Sequence, residues 1–463
     1  MPLTTLEELL CYERPAWGQG FARTGATPFV AAPWEPLQNR LLVCHDFAGG
    51  YGEDRRVQGG GYERAYRVYD WGIIDIFVYF SHNLVTIPPL AWTDIAHRHG
   101  TRVLGTFITE WGKGYDVCAD LLRSRETADR AADRLVKIAE DYGFDGWLIN
   151  IENKVDPGAN IEMMKHFLKT LTEKMRASFS TSRYPLTTTP EYMTRKNSTT
   201  VVLWYDSVTV DGNLQWQDTL NSKNRAFFDV CDGIFTNYCW QTDYPSNCAL
   251  QAKTRRLEVY MGIDVHGRGT WGCGGFDCNK ALDKIRRAGV SAALFAPGWT
   301  MENKIDGGGI VGARRASEGR TWGSVECEFD HVDGEFWAKI AQAWHAPRAI
   351  PGPAGGRRWG AQGLPLCVNF GRGVGDRWRI CGDVVAVFRH PVAADVGDDG
   401  ENEVVDSGRE SGGGGGGGEV ERLGGAFYDI MAQCLTPCVG ARRGRSLGSD
   451  VAQARRLGDP GGS

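Results

Sequence analysis

The run GWLINIE at 146–152 sets an amide, Asn150, and an acid, Glu152, two residues apart among apolar neighbours. Side chains alternate faces along a strand, so these two stand together on one face. A carboxyl ringed by apolar groups is disfavoured as an anion, so its pKa should rise and it can act as a general acid. Glycosidic bond hydrolysis usually takes a second carboxylate as base or nucleophile. An amide cannot do that work. It can hold a 2-acetamido group of a sugar, whose own carbonyl oxygen then attacks the anomeric carbon, a known exception to the two-carboxylate scheme.

Further polar and aromatic residues end other apolar runs. Glu110 and Trp111 follow RVLGTFIT (102–109), and Tyr205 and Asp206 end the run that starts at Val201. Asn237, Tyr238 and Trp240 close GIFTNY and its next residues, Asp264 and His266 close EVYMGIDV, and Trp299 follows AALFAPG. Carboxylates, amides and rings together suit a glycan, whose hydroxyls need polar partners and whose ring faces stack on aromatics.

The elements that must position these residues are apolar runs at 41–46, 73–81, 102–109, 146–152, 201–207, 233–238, 258–265 and 292–298. Each is short and continuous, the type buried on both faces of a parallel sheet. Between them lie helical spacings. The clearest are Ala128, Ala131, Ala132, Leu135, Ala139 and Tyr142, then Met164, Phe167, Leu168, Leu171 and Met175. Weaker helical patterns cover about 90–99, 218–230, 245–256, 277–288 and 334–345. Strands alternating with crossover helices predict an α/β fold, a (β/α)8 TIM barrel over 41–346 with its chemistry at the C-terminal strand ends. The alternative is an open doubly wound sheet. Its glycine-rich turn is only weakly echoed by HDFAGGYGED.

Residues 1–40 read as an N-terminal extension. Their start lacks a basic segment followed by an apolar run, so no signal peptide is expected. Residues 347–363 read as a Pro/Gly linker and 364–440 as a partial β-rich module. That module is split by an acidic glycine-rich insert at 394–422, and 441–463 read as a disordered tail. The glycine run at 412–418 is no phosphate loop, because no Lys-Ser or Lys-Thr follows it. A net charge of −5 with no basic tract argues against nucleic acid, and no apolar stretch is long enough for a membrane span. Thirteen scattered cysteines read as free thiols. The pairings Cys273–Cys278 and Cys434–Cys438 lack zinc-knuckle spacing, so neither metal nor cofactor is expected. His97 and His99 end a helix, where cations complement the dipole. Trp71 and Trp92 read as packing.

The motif at 145–152 resembles the DG-I-D-I-D-W-E fourth-strand signature of family 18 chitinases, with Asn150 in place of the aspartate before the acid. That Asn-x-Glu form is similar to the endo-β-N-acetylglucosaminidases of glycoside hydrolase family 85. The resemblance runs through LVCHDFAGGYGEDR (42–55), DIFVYFSHNLVTIPPLAWTDIAHRHG (75–100), VLGTFITEW (103–111), LWYDSV (203–208), LQWQDTLNSKNRAFFDVCDGIFTNYCW (214–240), VYMGIDVHGRG (259–269) and ALFAPGW (293–299). It implies Glu152 as acid/base, Asn150 as the group orienting the acetamido and stabilising an oxazolinium through an imidic-acid form, and Tyr205 beside that intermediate. It also implies Trp216, Trp240 and Trp299 as rings lining sugar subsites. The expected substrates are N-linked glycans, glycopeptides or free oligosaccharides, cut between the two core GlcNAc residues with retention. Transfer to other acceptors and a cytosolic setting are also implied. In the family the barrel is followed by β-sandwich domains; here 364–440 only faintly resembles their start. Two other readings stand beside this one: a non-catalytic glycan-binding barrel, and a two-carboxylate glycosidase using Glu110 with Glu152.

Overall fold

The computed structural model describes residues 2–13, 38–52, 66, 68, 70–181, 200–302 and 322–344, with strand residues 368–369, 377–380 and 383–387. The barrel strands are β1 (Leu41–His45), β2 (Ile76–Tyr79), β4 (Arg102–Glu110), β5 (Gly146–Glu152), β6 (Val201–Tyr205), β7 (Gly233–Thr236), β8 (Val259–Asp264) and β9 (Ser291–Phe295). Each pairs in parallel with the next, and the ring shuts because β1 pairs with β9 and β2 with β4. Closure excludes the open-sheet alternative. The barrel lies within the first of two compact units, residues 1–374 with 380–382; the second comprises 375–379 and 383–463.

Leu42, Ile76, Leu104, Leu148, Leu203, Phe235, Tyr260 and Ala293 fill the interior. Such burial contributes roughly 1.5–3 kcal/mol for each large apolar side chain. The alternate residues face the helices: on β5, Trp147 is buried outward and donates its indole N–H to Leu135 O at 3.2 Å. Gly146 is required by close approach, because a Cβ there would lie 1.8 Å from Val201 O across the β5–β6 ladder. At the opposite end of the barrel from the strand C-termini, Asp145 Oδ2 meets His97 Nε2 at 2.6 Å and accepts Val103 N–H at 2.8 Å. His97 thus joins a buried tie between a helix end and two strands, beyond the dipole role expected of it.

The surrounding helices are α2 (Leu90–Arg98), α3 (Trp111–Leu121), α4 (Arg125–Tyr142), α5 (Ala159–Thr181), α6 (Arg225–Val230), α7 (Tyr244–Ala252), α8 (Cys278–Ala288), α9 (Trp299–Glu302) and α10 (Trp322–Ala343). Helix α3 was not expected from the sequence, because Gly112 and Gly114 weaken its helical pattern. Gly114 is there for space: a Cβ would sit 2.4 Å from Asn153 Oδ1 and 2.8 Å from the Thr109 carbonyl carbon. The start of the chain is also more than an extension. Leu3 bridges Val85 on the short strand β3 (Val85–Thr86), and α1 (Leu6–Leu10) carries a Thr5–Glu8 capping box. Arg130 Nε of α4 donates to Leu10 O at 3.1 Å, and Tyr12 OH to Asp141 at 3.1 Å.

Cys273 and Cys278 are both free thiols. Among the described residues no helix is long and apolar enough to cross a membrane. Beyond the barrel the described strands are β10 (Val368–Asn369), β11 (Arg377–Ile380) and β12 (Asp383–Val387). The expected linker at 347–363, the insert at 394–422 and the tail at 441–463 lie outside the described residues, as do 14–37.

Candidate active site

The interior cluster sets the inward parity of each strand: Ile108 on β4, Leu148 on β5, Leu203 on β6, Phe235 on β7 and Tyr260 on β8. Continuing two residues at a time toward the C-terminal mouth, the same parity delivers Glu110, Asn150 with Glu152, Tyr205, Asn237 and Asp264. The strands therefore bring these side chains together at the C-terminal mouth of the barrel.

Glu110 and Glu152 are register partners on adjacent parallel strands. Burial pushes the Glu152 carboxyl above its ordinary value, and the charge of Glu110 pushes it further. Hydrogen bonds from Asn150 and Trp216 and the positive charge of His82 pull the other way without cancelling the rise. Asn150 Nδ2 donates to Glu152 Oε2 at 3.4 Å. Asn150 Oδ1 is buried and has no hydrogen-bond partner. A buried acceptor in that condition costs roughly 1–3 kcal/mol unless a ligand supplies a donor.

Tyr205 OH donates to Asn237 Oδ1 at 3.0 Å, and Asn237 Nδ2 donates to Asp218 Oδ1 at 2.7 Å. Burial, followed by the Glu152 charge, lifts the Tyr205 phenol well above its ordinary value, so it stays a donor. Trp216 is 37 % exposed at the mouth. Trp111 is 66 % exposed and holds a left-handed backbone at φ 52°, a conformation costly for an aromatic residue.

Other expected site residues sit deeper. Trp240 is only 2 % exposed, donates its indole N–H to Gly262 O at 2.7 Å, and lies stacked against Trp271 with centroids 5.4 Å apart. Its ring is covered, and Trp271 is the half-buried face of that stack. Asp264 is fully buried and spent on Arg268, which it grips through Nε at 2.8 Å, the second guanidinium nitrogen at 2.9 Å and the backbone N–H at 2.8 Å. A ligand reaching β8 meets Arg268 before Asp264. Trp299 is half-buried beside Gly275, edge-on to Phe276 at 5.3 Å.

Two groups were missed from sequence. His82 Nδ1 lies 3.0–3.1 Å from both Glu110 carboxylate oxygens. That hydrogen bond, aided by Glu110, Asp46 and Glu152 charges, raises the imidazole above its ordinary value against partial burial. Asp46, one residue past β1, is half-buried, and burial pushes its carboxyl up. Both follow strand parity, His82 after Phe80 and Asp46 after Cys44, so extending the alternation past the strand ends finds them. His266 Nε2 faces Glu302 Oε2 at 3.4 Å, and Tyr66 OH donates to the other oxygen of Glu302. Among the described residues no cluster of His, Cys, Asp and Glu is arranged to hold a metal ion.

The family model for glycosyl hydrolase family 85 matches residues 51–378. The chain is 42% identical over 343 residues to cytosolic endo-beta-N-acetylglucosaminidase 1 of Arabidopsis thaliana, an alignment covering 74% of this chain and 43% of that protein. It is 46% identical over 304 residues to the cytosolic endo-beta-N-acetylglucosaminidase of Homo sapiens, covering 65% of this chain and 38% of that one. Among solved structures it is similar to a glycoside hydrolase domain, Endo-D from Streptococcus pneumoniae R6. The TM-score is 0.53 and the identity 19%, over 78% of this chain and 53% of the other, a likeness of fold alone. The chain spans less than half the length of the curated relatives it matches.

Proposed function

The chain belongs to glycosyl hydrolase family 85, and from that premise we propose that it is an endo-β-N-acetylglucosaminidase acting on the chitobiose core of N-glycans. Its substrates are glycopeptides or free oligosaccharides carrying GlcNAc-β1,4-GlcNAc, and its setting is the cytosol, as the names of its relatives suggest. The observation that carries the reading is the Asn150–Glu152 pair: a raised carboxyl touching an amide whose buried Oδ1 has no partner.

In this mechanism Asn150 Oδ1 accepts the N–H of the 2-acetamido group on the sugar whose glycosidic bond is cut. The acetamido carbonyl oxygen attacks the anomeric carbon as Glu152 gives its proton to the departing GlcNAc oxygen. The bond between the two sugars breaks, leaving an oxazolinium, with Asn150 and Tyr205 as its polar neighbours. Glu152, now ionised, takes a proton from water, which opens the ring with net retention; a sugar hydroxyl in place of water gives transfer. Trp216 and Trp111 are the exposed rings on which sugar faces would stack.

A second reading has one specific support. Glu110 and Glu152 are register neighbours, and adjacent strands lie about 4.8 Å apart, near the ~5–5.5 Å separation of retaining carboxylate pairs. The pairing of Glu110 with His82 argues against it as a free nucleophile. Incubation of the full chain with a high-mannose glycopeptide tests the proposal. Mass spectrometry is expected to find peptide bearing one GlcNAc. Absence of release by folded protein sinks the proposal, and equal cleavage of a substrate lacking the 2-acetamido group selects the second reading.

A further inference from the structure

Asp206, the residue after β6, is buried, yet its carboxylate is gathered by N–H groups from three segments. Oδ2 accepts the backbone N–H of Gln217 at 3.1 Å, of Asp218 at 2.7 Å and of Asn237 at 3.4 Å; Oδ1 accepts Asn224 Nδ2 at 2.9 Å. Burial pushes this carboxyl up to about 7, against the pull of those four bonds. Asn224 also donates to Thr219 O at 2.8 Å and accepts Asn221 N–H at 2.9 Å, so the loop from 215 to 224 is drawn down onto the ends of β6 and β7. The loop turns sharply at Asp218, whose φ of 58° is a left-handed conformation that aspartate takes more readily than most non-glycine residues.

Two functional side chains hang on this arrangement. Trp216 precedes the first of the gathered N–H groups, and its hydrogen bond to Glu152 opposes the rise of that carboxyl. Asp218 accepts Asn237 Nδ2, which leaves Asn237 Oδ1 to receive Tyr205 OH. We propose that Asp206 is the positioning residue of this site, acting through the 215–224 loop to hold Trp216 on the acid Glu152 and Asn237 on Tyr205 while touching no substrate itself. The proposal rests on the reading of Glu152 as the general acid.

Asp206→Asn keeps the size of the side chain but replaces one acceptor oxygen by an NH2. Whichever way the amide turns, at least one gathered N–H loses its acceptor. The titratable groups facing Glu152 are Glu110, His82, Tyr205 and Tyr238; of these, Tyr205 is also raised by the Asp206 charge, after burial and the Glu152 charge, so the variant lowers its phenol somewhat as well. Three results are expected. Amide exchange across 215–224 accelerates. The turnover rate kcat on the glycopeptide falls by about tenfold, the rate equivalent of one hydrogen bond to a charged group. The upper pH limb of kcat/KM, set by deprotonation of Glu152, moves to higher pH because the Trp216 bond that lowers its pKa is loosened.

Trp216→Phe should move that limb the same way, and the double variant no further than the larger single shift. Faster exchange with a wild-type kcat and limb overturns the proposal, as do additive limb shifts in the double variant. If Asp206→Asn does not fold, Asn224→Ala removes one donor to the same carboxylate and must show the same limb shift, smaller in size; an unmoved limb overturns the proposal. If the wild type cleaves no glycopeptide, the functional reading fails separately. Carboxyl-carbon NMR then reads the Glu152 pKa in the same variants, an upward shift supporting the positioning role and an unchanged value overturning it.

Discussion

The mouth of the barrel has two arcs that position their side chains by different means. On one, β4 and β5 carry Glu110, Asn150 and Glu152, and the parallel backbone ladder itself fixes their places, residue opposite residue. On the other, beyond β6 and β7, Tyr205, Trp216 and Asn237 are placed by a network of side-chain and backbone hydrogen bonds that meets at Asp206 and Asp218. The ladder arc should therefore tolerate side-chain changes without loss of fold and fail when its backbone is disturbed. The network arc should do the reverse, losing geometry when a single polar atom is changed.

The largest effect expected is chemical and lies on the ladder arc. Glu152→Gln should fold normally and lower kcat on the glycopeptide by roughly 10²–10⁴, the range for a lost general acid. A variant that unfolds instead would break the contrast between the arcs. Next is a backbone change on the same arc. Gly146→Ala places a Cβ against Val201 O, and overpacking of this kind costs about 1–3 kcal/mol, which thermal unfolding reads directly; an unchanged Tm would show that β5 is not held by its ladder. On the network arc, Tyr205→Phe removes only the hydroxyl on Asn237. A fall of about tenfold in kcat with little change in Tm is expected.

The smallest effect is a pair of opposite pH shifts. Glu110→Gln removes a negative charge that raises Glu152, so the upper limb of kcat/KM should move to lower pH. His82→Ala removes a positive charge that lowers Glu152 and leaves Glu110 unpaired, so the limb should move to higher pH. Shifts of equal sign in the two variants would contradict the electrostatics described for the acid.

The two arcs were also unequally legible in the sequence. The closed barrel follows from apolar runs alternating with helical spacings, and the shared face of Asn150 and Glu152 follows from strand parity alone. Parity says which face a residue takes at and just past a strand end, but not which neighbour covers or engages it there. Trp240 is one of a row of aromatics in the sequence, yet the fold tucks it under Trp271, and nothing in the spacing distinguishes the covering ring from the covered one. Asp264 is similar: its position names it as a mouth residue, but Arg268, four residues on, takes both its oxygens. His82 escapes for the simpler reason that the apolar run predicting its strand ends at residue 81. Helix α3 was hidden because Gly114 serves close packing against Asn153 and so dilutes the helical pattern. The capping box at Thr5–Glu8 was a readable start signal in a segment treated as extension.

The account stands on an amide doing what a second carboxylate would otherwise do. The direct measurement is the rate of glycopeptide hydrolysis by Asn150→Ala at the pH optimum of the wild type. If Asn150 holds the acetamido group during attack, kcat should fall by roughly 10²–10³, the effect of removing one preorganised polar group from a charged transition state. Hydrolysis at the wild-type rate would show that the nucleophile is not supplied by the substrate with the help of this side chain.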